Sequence, residues 1–399
     1  MERLARVPTI TNPVKHMDTF EEHAPQQAYQ DLGKCPFHSP ETGNKVLARR
    51  DDIVKFTRHP AVRATDGVHW KMGAPRPNIP LDLDGDEQRM FRRLLDPLFA
   101  PKAVASLEPV VRRVTDVLID AFIDKGEVEL FEALCQPAPS IIFVDLLGLP
   151  ESDLPVFTRF KESVVHPEGD TAEARRKFAA REGQIITDYL NRVCDEREAS
   201  GDLGEGIVAG FLRAEIEGRR LSRTEIVDIV YLLIIAGLDT VVSSLSLMFS
   251  WFARNPEQRA RLVADPSLLP SAVEELLRYE SPVMRGSRWV TESFSLNGWD
   301  FAPGEEVDIL WASANVDPEA FDNPLTVDLD RSRNAHVGFA SGPHRCLGSN
   351  LARMELRVVI DQFHRRIPDY WITPGAEPQY YNNGVRAAYH LPISFSVGG

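Results

Sequence analysis

The chain is organised around the stretch HVGFASGPHRCLGSNLAR, residues 336–353, in which Cys346 lies in a loop punctuated by glycines. Gly338, Gly342 and Gly348 allow the backbone to turn sharply and to approach a flat, bulky group closely. After Gly348 the apolar residues recur with helical spacing, which predicts a helix that begins just beyond the cysteine. The dipole and the free N–H groups at such a terminus favour a thiolate at Cys346.

Two interpretations of Cys346 follow from this stretch. A lone cysteine in a tight turn is usually an inert packing residue. However, Phe339, His344 and Gly348 complete the spacing Phe-x-x-Gly-x-His-x-Cys-x-Gly, which resembles the haem-binding loop of the cytochromes P450. In that family the Cys thiolate ligates the haem iron and donates electron density to it. Ala340 stands where the family usually has Gly; its methyl group should be tolerated, although it crowds the loop.

Composition limits the class of protein. The 399 residues are 43% hydrophobic and 26% charged, which is typical of a globular chain with a large core. A net charge of −14 argues against general nucleic-acid binding, and we expect no apolar run of the roughly 18 residues that span a membrane. The polar N-terminus is not typical of a signal peptide. We therefore expect one cytoplasmic domain over residues 1–399.

The cysteines are too dispersed to form a disulfide framework or a zinc ribbon. A zinc site built from Cys346, His336 and His344 lacks a convincing fourth ligand. The four cysteines are Cys35, Cys135, Cys194 and Cys346.

A second stretch, residues 225–252, is apolar almost all round and predicts a long helix buried in the core. Within it the sequence AGLDT places a Gly, an Asp and a Thr where they cost stability. Thr240 can bond back to a carbonyl one turn earlier and bend the helix. One interpretation is a helix crossing at Gly237 with a satisfied Asp239–Thr240 pair.

The same segment also resembles the oxygen-activation motif of the P450 family. The resemblance implies that Asp239 and Thr240 are catalytic and deliver protons, which suits a carboxylate that exchanges protons and a hydroxyl that both donates and accepts. It also implies that Ala236 and Gly237 contact the haem.

The resemblance implies four further side chains around the haem propionates. Gln88 and Arg92 are four residues apart and share a helix face; alone, such a pair is usually a solvated face. Arg288 and His344 match the other propionate positions, and Arg forks pair well with carboxylates. Gln88, in place of the commoner His, resembles the camphor-hydroxylase branch. Three more residues, Glu275, Arg278 and Arg331, match an ion-pair triad that supports the haem loop.

The implied substrate pocket is apolar, which favours a small hydrophobic molecule such as a monoterpenoid. Arg76 is a further candidate for its lining. The Tyr that holds camphor in the related branch has no counterpart in residues 73–79, which argues against camphor itself. The predicted apolar lining is Trp70, Ile79, Leu232, Ile235, Val283, Met284 and Val385.

Taken together, the motifs imply a mostly helical α+β cytochrome P450 fold, with haem b between the Thr240 helix and the Cys346 helix. The implied activity is hydroxylation with O2, two electrons and two protons. No Gly-x-Gly-x-x-Gly follows a strand, so electrons must come from a separate protein; the resemblance implies a [2Fe–2S] ferredoxin and an NAD(P)H-dependent reductase. A candidate basic surface for that ferredoxin comprises Arg89, Arg93, Arg333, Arg345 and Arg353.

Two alternatives remain at this point. One is a peroxygenase driven by hydrogen peroxide, and the other is a haem-thiolate sensor or carrier without turnover. The acid–alcohol pair Asp239 and Thr240 argues against both, because neither function requires proton delivery during oxygen activation.

Overall fold

The computed structural model describes residues 24–33, 37–39, 42–68, 74, 76–165, 171–382 and 385–397. Trp70 and Cys35 lie outside these residues. The helices form most of the described structure. In chain order they are α1 (Gln26–Leu32), α2 (Arg50–Phe56), α3 (Gly85–Leu95), α4 (Pro101–Ala105), α5 (Glu108–Asp120), α6 (Pro137–Leu147), α7 (Leu154–Val165), α8 (Ala172–Ser200), α9 (Gly206–Arg213), α10 (Arg223–Arg254), α11 (Pro256–Ala264), α12 (Leu269–Glu280), α13 (Trp311–Asn315) and α14 (Ser349–Arg366).

The described strands are β1 (Phe37–His38), β2 (Lys45–Leu47), β3 (Val62–Arg63), β4 (Glu127–Glu129), β5 (Glu215–Ile216), β6 (Arg219–Arg220), β7 (Arg285–Val290), β8 (Phe294–Leu296), β9 (Trp299–Phe301), β10 (Glu306–Leu310), β11 (Tyr370–Ile372), β12 (Gln379–Asn382), β13 (Arg386–His390) and β14 (Pro392–Phe395). They lie mainly in a five-stranded sheet of order β1-β2-β10-β7-β3 and a three-stranded sheet of order β11-β14-β4. The remaining described strands form three two-stranded sheets, β5-β6, β8-β9 and β12-β13.

The central helix α10 begins and ends within two residues of its predicted bounds. Ser222 caps it by accepting from the amide of Glu225, and the Glu225 side chain accepts from the Ser222 amide in return. Helices α6, α7, α8 and α14 pack against it, while α14 also packs on α5. The core is therefore a helical layer built around α10, and the larger sheet packs as a separate cluster of apolar side chains.

The expectation that no stretch is long and apolar enough to span a membrane is wrong, because one helix meets both criteria of length and composition. Helix α10 is long enough and its best 18-residue window has a mean hydropathy of 2.1, but 83% of that window is buried inside the protein. Burial on all sides is typical of the core helix of a globular protein. The apolar character of α10 is thus explained by packing.

Gly237 lies where α10 crosses α6. A Cβ atom at this position would come within 2.5–2.8 Å of three ring carbons of Phe143. The Cβ direction of Gly237 thus points at α6, which supports the helix-crossing interpretation. Gly237 is also half-buried, and its contact with the haem stays a prediction.

Replacing Gly237 by Ala should lower the free energy of unfolding by about 1–3 kcal/mol, the usual cost of overpacking a core. Gly210 is the matched control, because it also lies in a helix but has nothing within 4 Å of its Cβ position. Gly210→Ala should stabilise by roughly 0.5–1 kcal/mol through helix propensity. Urea unfolding of both variants checks the pair. Equal effects would mean that the Phe143 contact does not constrain the crossing.

Candidate active site

The loop that carries Cys346 is held by its own backbone. A single turn of 3₁₀ helix, Gly342–His344, precedes the cysteine, and the Cys346 amide donates to the carbonyl of Phe339 at 2.9 Å. Gly342 has φ +76°, and a side chain there would collide with the backbone of a neighbouring segment. Gly348 is the residue before α14. The structure therefore places Cys346 just before a helix N-terminus, as predicted.

The Cys346 thiol is accessible, although protein surrounds it. The residue is exposed, yet desolvation by the surrounding protein raises the pKa of the thiol above its usual value. The Gly348 amide and the charges of Arg92, Arg345 and Arg353 oppose this shift of the pKa. The sulfur is therefore accessible to a bound group. Among the residues the structure describes, no three His, Cys, Asp or Glu side chains are grouped to hold a metal ion, which disfavours the zinc alternative.

Helix α10 presents three accessible residues, Ala236, Gly237 and Thr240, between residues 231 and 240, where the others are buried. Ala236 is exposed and Thr240 is half-buried. The Thr240 hydroxyl donates to the Ala236 carbonyl at 3.0 Å, which is the predicted bond to the preceding turn. The helix is nevertheless continuous, so this bond does not break it. An accessible side of α10 and an accessible thiol on the loop before α14 are consistent with a flat group held between the two helices.

Asp239 faces away from this accessible side. Its carboxylate is buried and lies 3.5 Å from the ammonium group of Lys161 on α7, which also pairs with Glu162 at 2.6 Å. Adjacent helical residues differ by about 100° in direction, so Asp239 and Thr240 bond different partners instead of each other. Lys161 could not be singled out in the sequence, because a lysine on an amphipathic helix is usually solvated.

Three of the predicted propionate residues converge on the loop before Cys346. Gln88 donates to the carbonyl of Pro343 at 2.9 Å, and Arg92 donates to the carbonyl of Arg345 at 3.1 Å. Arg92 also pairs with Asp96 at 2.8 Å on its own helix. The buried His344 ring contacts Asp84 at 2.8 Å.

The fourth, Arg288, tests whether the residues fit an anionic cofactor. Its side chain is buried, and its one described hydrogen bond goes to the neighbouring Ser287 carbonyl at 2.8 Å. Burial lowers the pKa of the guanidinium to about 10, and the charge of nearby Asp84 only partly opposes this. Among the described residues no carboxylate forms an ion pair with Arg288. A buried cation costs free energy until an anion pairs with it, so the site fits a group that carries carboxylates.

The predicted pocket residues differ in their exposure. Val283 and Val385 pair in an isolated antiparallel bridge and are both half-buried. Leu232 and Ile235 are buried on α10, and Ile79 packs in the main core. The placement of Trp70 lies outside the described residues.

The prediction for Met284 is wrong in this structure. Its side chain is fully buried with α1 and β2 and accepts from the Tyr29 hydroxyl at 3.2 Å. Neighbours in an extended chain point to opposite faces. Val283 and Met284 therefore do not share the pocket side.

Arg76 has a specific role that the sequence did not indicate. Its guanidinium makes a bidentate pair with Asp228 of α10, with Nε and Nη2 at 2.9 and 2.7 Å from Oδ1. Asp228 lies four residues before Leu232 and so on a neighbouring part of the same helix face. The pair joins the segment before α3 to the central helix.

The predicted triad is assembled around one buried carboxylate. Glu275 accepts from Arg278 Nε and Nη2, both at 2.8 Å, and from Arg331 Nε at 2.9 Å. Arg278 also donates to the carbonyls of Asn315 and Pro324 at 2.8 Å. The cluster joins α12 to the chain that leads into the Cys346 loop.

Ala340 is strained where the sequence suggested only crowding. Its φ is +59°, in the left-handed region that disfavours a Cβ atom. Ala340→Gly should therefore raise the free energy of unfolding by roughly 0.5–1 kcal/mol, the usual gain when strain of this kind is removed. Thermal unfolding of the two proteins checks this. An unchanged or lower melting temperature would show that the loop bears no strain at this residue.

The five arginines of the candidate ferredoxin surface are not equivalent. Arg89 pairs with Asp86, and Arg93 lies 3.3 Å from Glu217. Arg353 is engaged by Glu274. Arg333 and Arg345 have no ion-pair partner among the described residues.

Comparisons with known proteins agree with this site. The family model for cytochrome P450 matches residues 171–366. The cytochrome P450 CYP107DY1 of Priestia megaterium is 30% identical over 88% of this chain and 89% of its own length. The cytochrome P450 monooxygenase PikC of Streptomyces venezuelae is 33% identical over 80% of this chain and 76% of its own. The structure of CYP109E1 from Bacillus megaterium in complex with testosterone has a TM-score of 0.85 at 26% identity, over 96% of this chain and 99% of that one. The fold, the cysteine loop and these relatives together make this chain a member of the cytochrome P450 family.

Proposed function

We propose that Cys346 ligates haem b and that the enzyme hydroxylates a small hydrophobic substrate, similar in size to a monoterpenoid, in the cytoplasm. The observation that carries this proposal is the accessible thiol of Cys346, together with the accessible residues Ala236, Gly237 and Thr240 in the middle of the central helix. When bound, haem supplies the activation of O2 for insertion of one oxygen atom into a C–H bond.

The residues of this chain would hold the haem and manage protons. Arg288 and Arg92 would pair with the propionates, and Gln88 and His344 would keep the loop beside them. The Thr240 hydroxyl donates its hydrogen bond to the Ala236 carbonyl. Its lone pairs are therefore available to accept a hydrogen bond from a bound group. Asp239 would exchange protons with water beside Lys161.

Neutral apolar side chains support the substrate class, since Leu232, Ile235, Val283 and Val385 carry no charge. A binding titration tests this substrate class. The purified haem protein is titrated with monoterpenes other than camphor, with testosterone and with fatty acids, and the shift of the haem iron from low to high spin is measured. Tightest binding by a monoterpenoid supports the proposal. Tightest binding by a steroid or a long-chain fatty acid would contradict the proposed substrate class. Turnover with hydrogen peroxide alone, at a rate equal to that with O2 and electrons, would favour the peroxygenase alternative.

We further propose that a [2Fe–2S] ferredoxin, reduced by an NAD(P)H-dependent reductase, docks near Arg93 and Arg345. Replacing both by Gln should slow reduction several-fold at low salt without moving the haem spectrum, because opposite charges mainly raise the association rate. The exposed pair between Arg93 and Glu217 is weak and should not block this contact. Stopped-flow reduction at two ionic strengths checks the prediction. An unchanged rate at low salt would place the docking surface elsewhere.

A further inference from the structure

Arg353 lies seven residues after Cys346, on the first turns of α14, where the sequence suggested a docking residue. The structure engages its guanidinium on two sides. Nε and Nη2 donate to the two carboxylate oxygens of Glu274 at 2.5 and 2.8 Å, and Nη1 donates to the Ser349 carbonyl at 3.3 Å. Only 23% of the side chain is exposed. A bidentate arginine of this kind is fixed in orientation.

The flat face of the same guanidinium lies on Phe339. The central carbon of the Arg353 guanidinium is 4.3 Å from the centre of the Phe339 ring, which is the geometry of a cation–π contact. Phe339 is also the residue whose carbonyl accepts from the Cys346 amide. The arginine therefore acts on the loop through a residue that is hydrogen-bonded to the cysteine.

Glu274 is also bound by His336, at the start of the cysteine loop. Its Oε2 atom lies 3.0 Å from Nε2 of His336, and Nδ1 of His336 accepts from the Gly338 amide at 3.1 Å. Because Nδ1 accepts, Nε2 carries the proton and donates to Glu274. The His336 side chain is buried. These contacts close a ring from the loop through α12 to α14 and back to the Phe339 side chain.

We infer that Arg353 is a positioning residue for the sulfur ligand: Glu274 and His336 fix its guanidinium, and the guanidinium fixes Phe339 and the Cys346 loop beside it. The inference rests on the proposed ligation of haem by Cys346. This role requires both the positive charge and the planar fork of arginine. Lysine keeps the charge but has neither the fork nor the flat face. Outer groups of this type orient a metal ligand and tune the metal.

The test uses the haem-loaded protein and two readouts other than turnover: the iron–sulfur stretching frequency from resonance Raman and the ferric/ferrous reduction potential. Arg353→Met should lower the potential, because a positive charge near the site favours the added electron, and should shift and broaden the iron–sulfur band. Arg353→Lys should restore part of the potential but not the band. Arg357→Met is the matched control, because it removes the same charge one turn further along α14.

Each outcome is decisive. A band and a potential unchanged in Arg353→Met, or equal shifts in Arg357→Met, would overturn the inference, as would a fully normal Arg353→Lys. Weakened ferredoxin binding with unchanged haem properties would return Arg353 to the docking surface. If Arg353→Met does not retain haem, the Lys variant alone decides. The spectrum of the unaltered protein tests the proposed ligation by Cys346 independently. If that spectrum is typical of a thiolate ligand, a failure of the Arg353 variants counts against the role of Arg353 and not against the ligation.

Discussion

Cys346→Ser is expected to abolish the red-shifted Soret band of the dithionite-reduced, CO-bound protein. That band requires a thiolate ligand to the haem iron, and a serine oxygen would donate far less electron density to iron. Monooxygenase turnover should fall to background in the same variant. The absorption spectrum of the reduced CO complex, recorded beside that of the unaltered protein, checks both the ligand and the cofactor.

Cys194→Ser is the matched control for this experiment. Cys194 is buried on α8, and burial raises the pKa of its thiol, so it behaves as a packing residue. Its replacement should cost about 1–3 kcal/mol for a buried hydroxyl and leave the spectrum unchanged. A Soret band that survives in Cys346→Ser, or that is lost in Cys194→Ser, would contradict the assignment of Cys346 as the ligand.

The sequence predicted those parts of the site whose chemistry is local. The glycines around Cys346 and the apolar run of α10 determine backbone shape, and their spacing is visible in the chain. The hairpin turn at Asn297 and Gly298 is another example, since both residues have the positive φ that a tight turn requires. The triad of Glu275, Arg278 and Arg331 was predicted from family resemblance, and its contacts are present.

Predictions failed where a side chain had two possible directions or partners far away in the chain. Met284 shares its stretch with Val283, and only the register of the extended chain decides which one faces the pocket. The contact of Gly237 with Phe143, 94 residues earlier, could likewise not be read from the sequence, whereas its contact with the haem stays a prediction. Neither feature changes the apolar pattern of the sequence.

Ion pairs were the hardest feature to predict. Lys161 with Asp239 and Arg353 with Glu274 each join residues that are many turns apart, and charged residues on helices are usually solvated. The pairing depends on how helices pack, which composition does not reveal. The contact of Arg353 with Glu274 is one that the sequence does not indicate.

Glu275→Gln should strongly lower the free energy of unfolding. The carboxylate is fully buried and accepts from two arginines, the Asp328 amide at 2.9 Å and Asn334 Nδ2 at 2.9 Å. Glutamine removes the negative charge and leaves the buried Arg278 without an anion. Breaking a buried ion pair from one side costs about 3–5 kcal/mol, which is a large part of the stability of an ordinary domain.

Urea unfolding measures this loss, and Glu257→Gln, at an exposed site on α11, is the control. The control should change the free energy of unfolding by less than about 0.5 kcal/mol. We also expect Glu275→Gln to lose haem during gel filtration, because the triad joins α12 to the chain that leads into the Cys346 loop. A loss below about 1 kcal/mol with normal haem retention would mean that the carbonyls of Asn315 and Pro324 hold Arg278 without the carboxylate. The triad would then be a consequence of the loop's position and not its support.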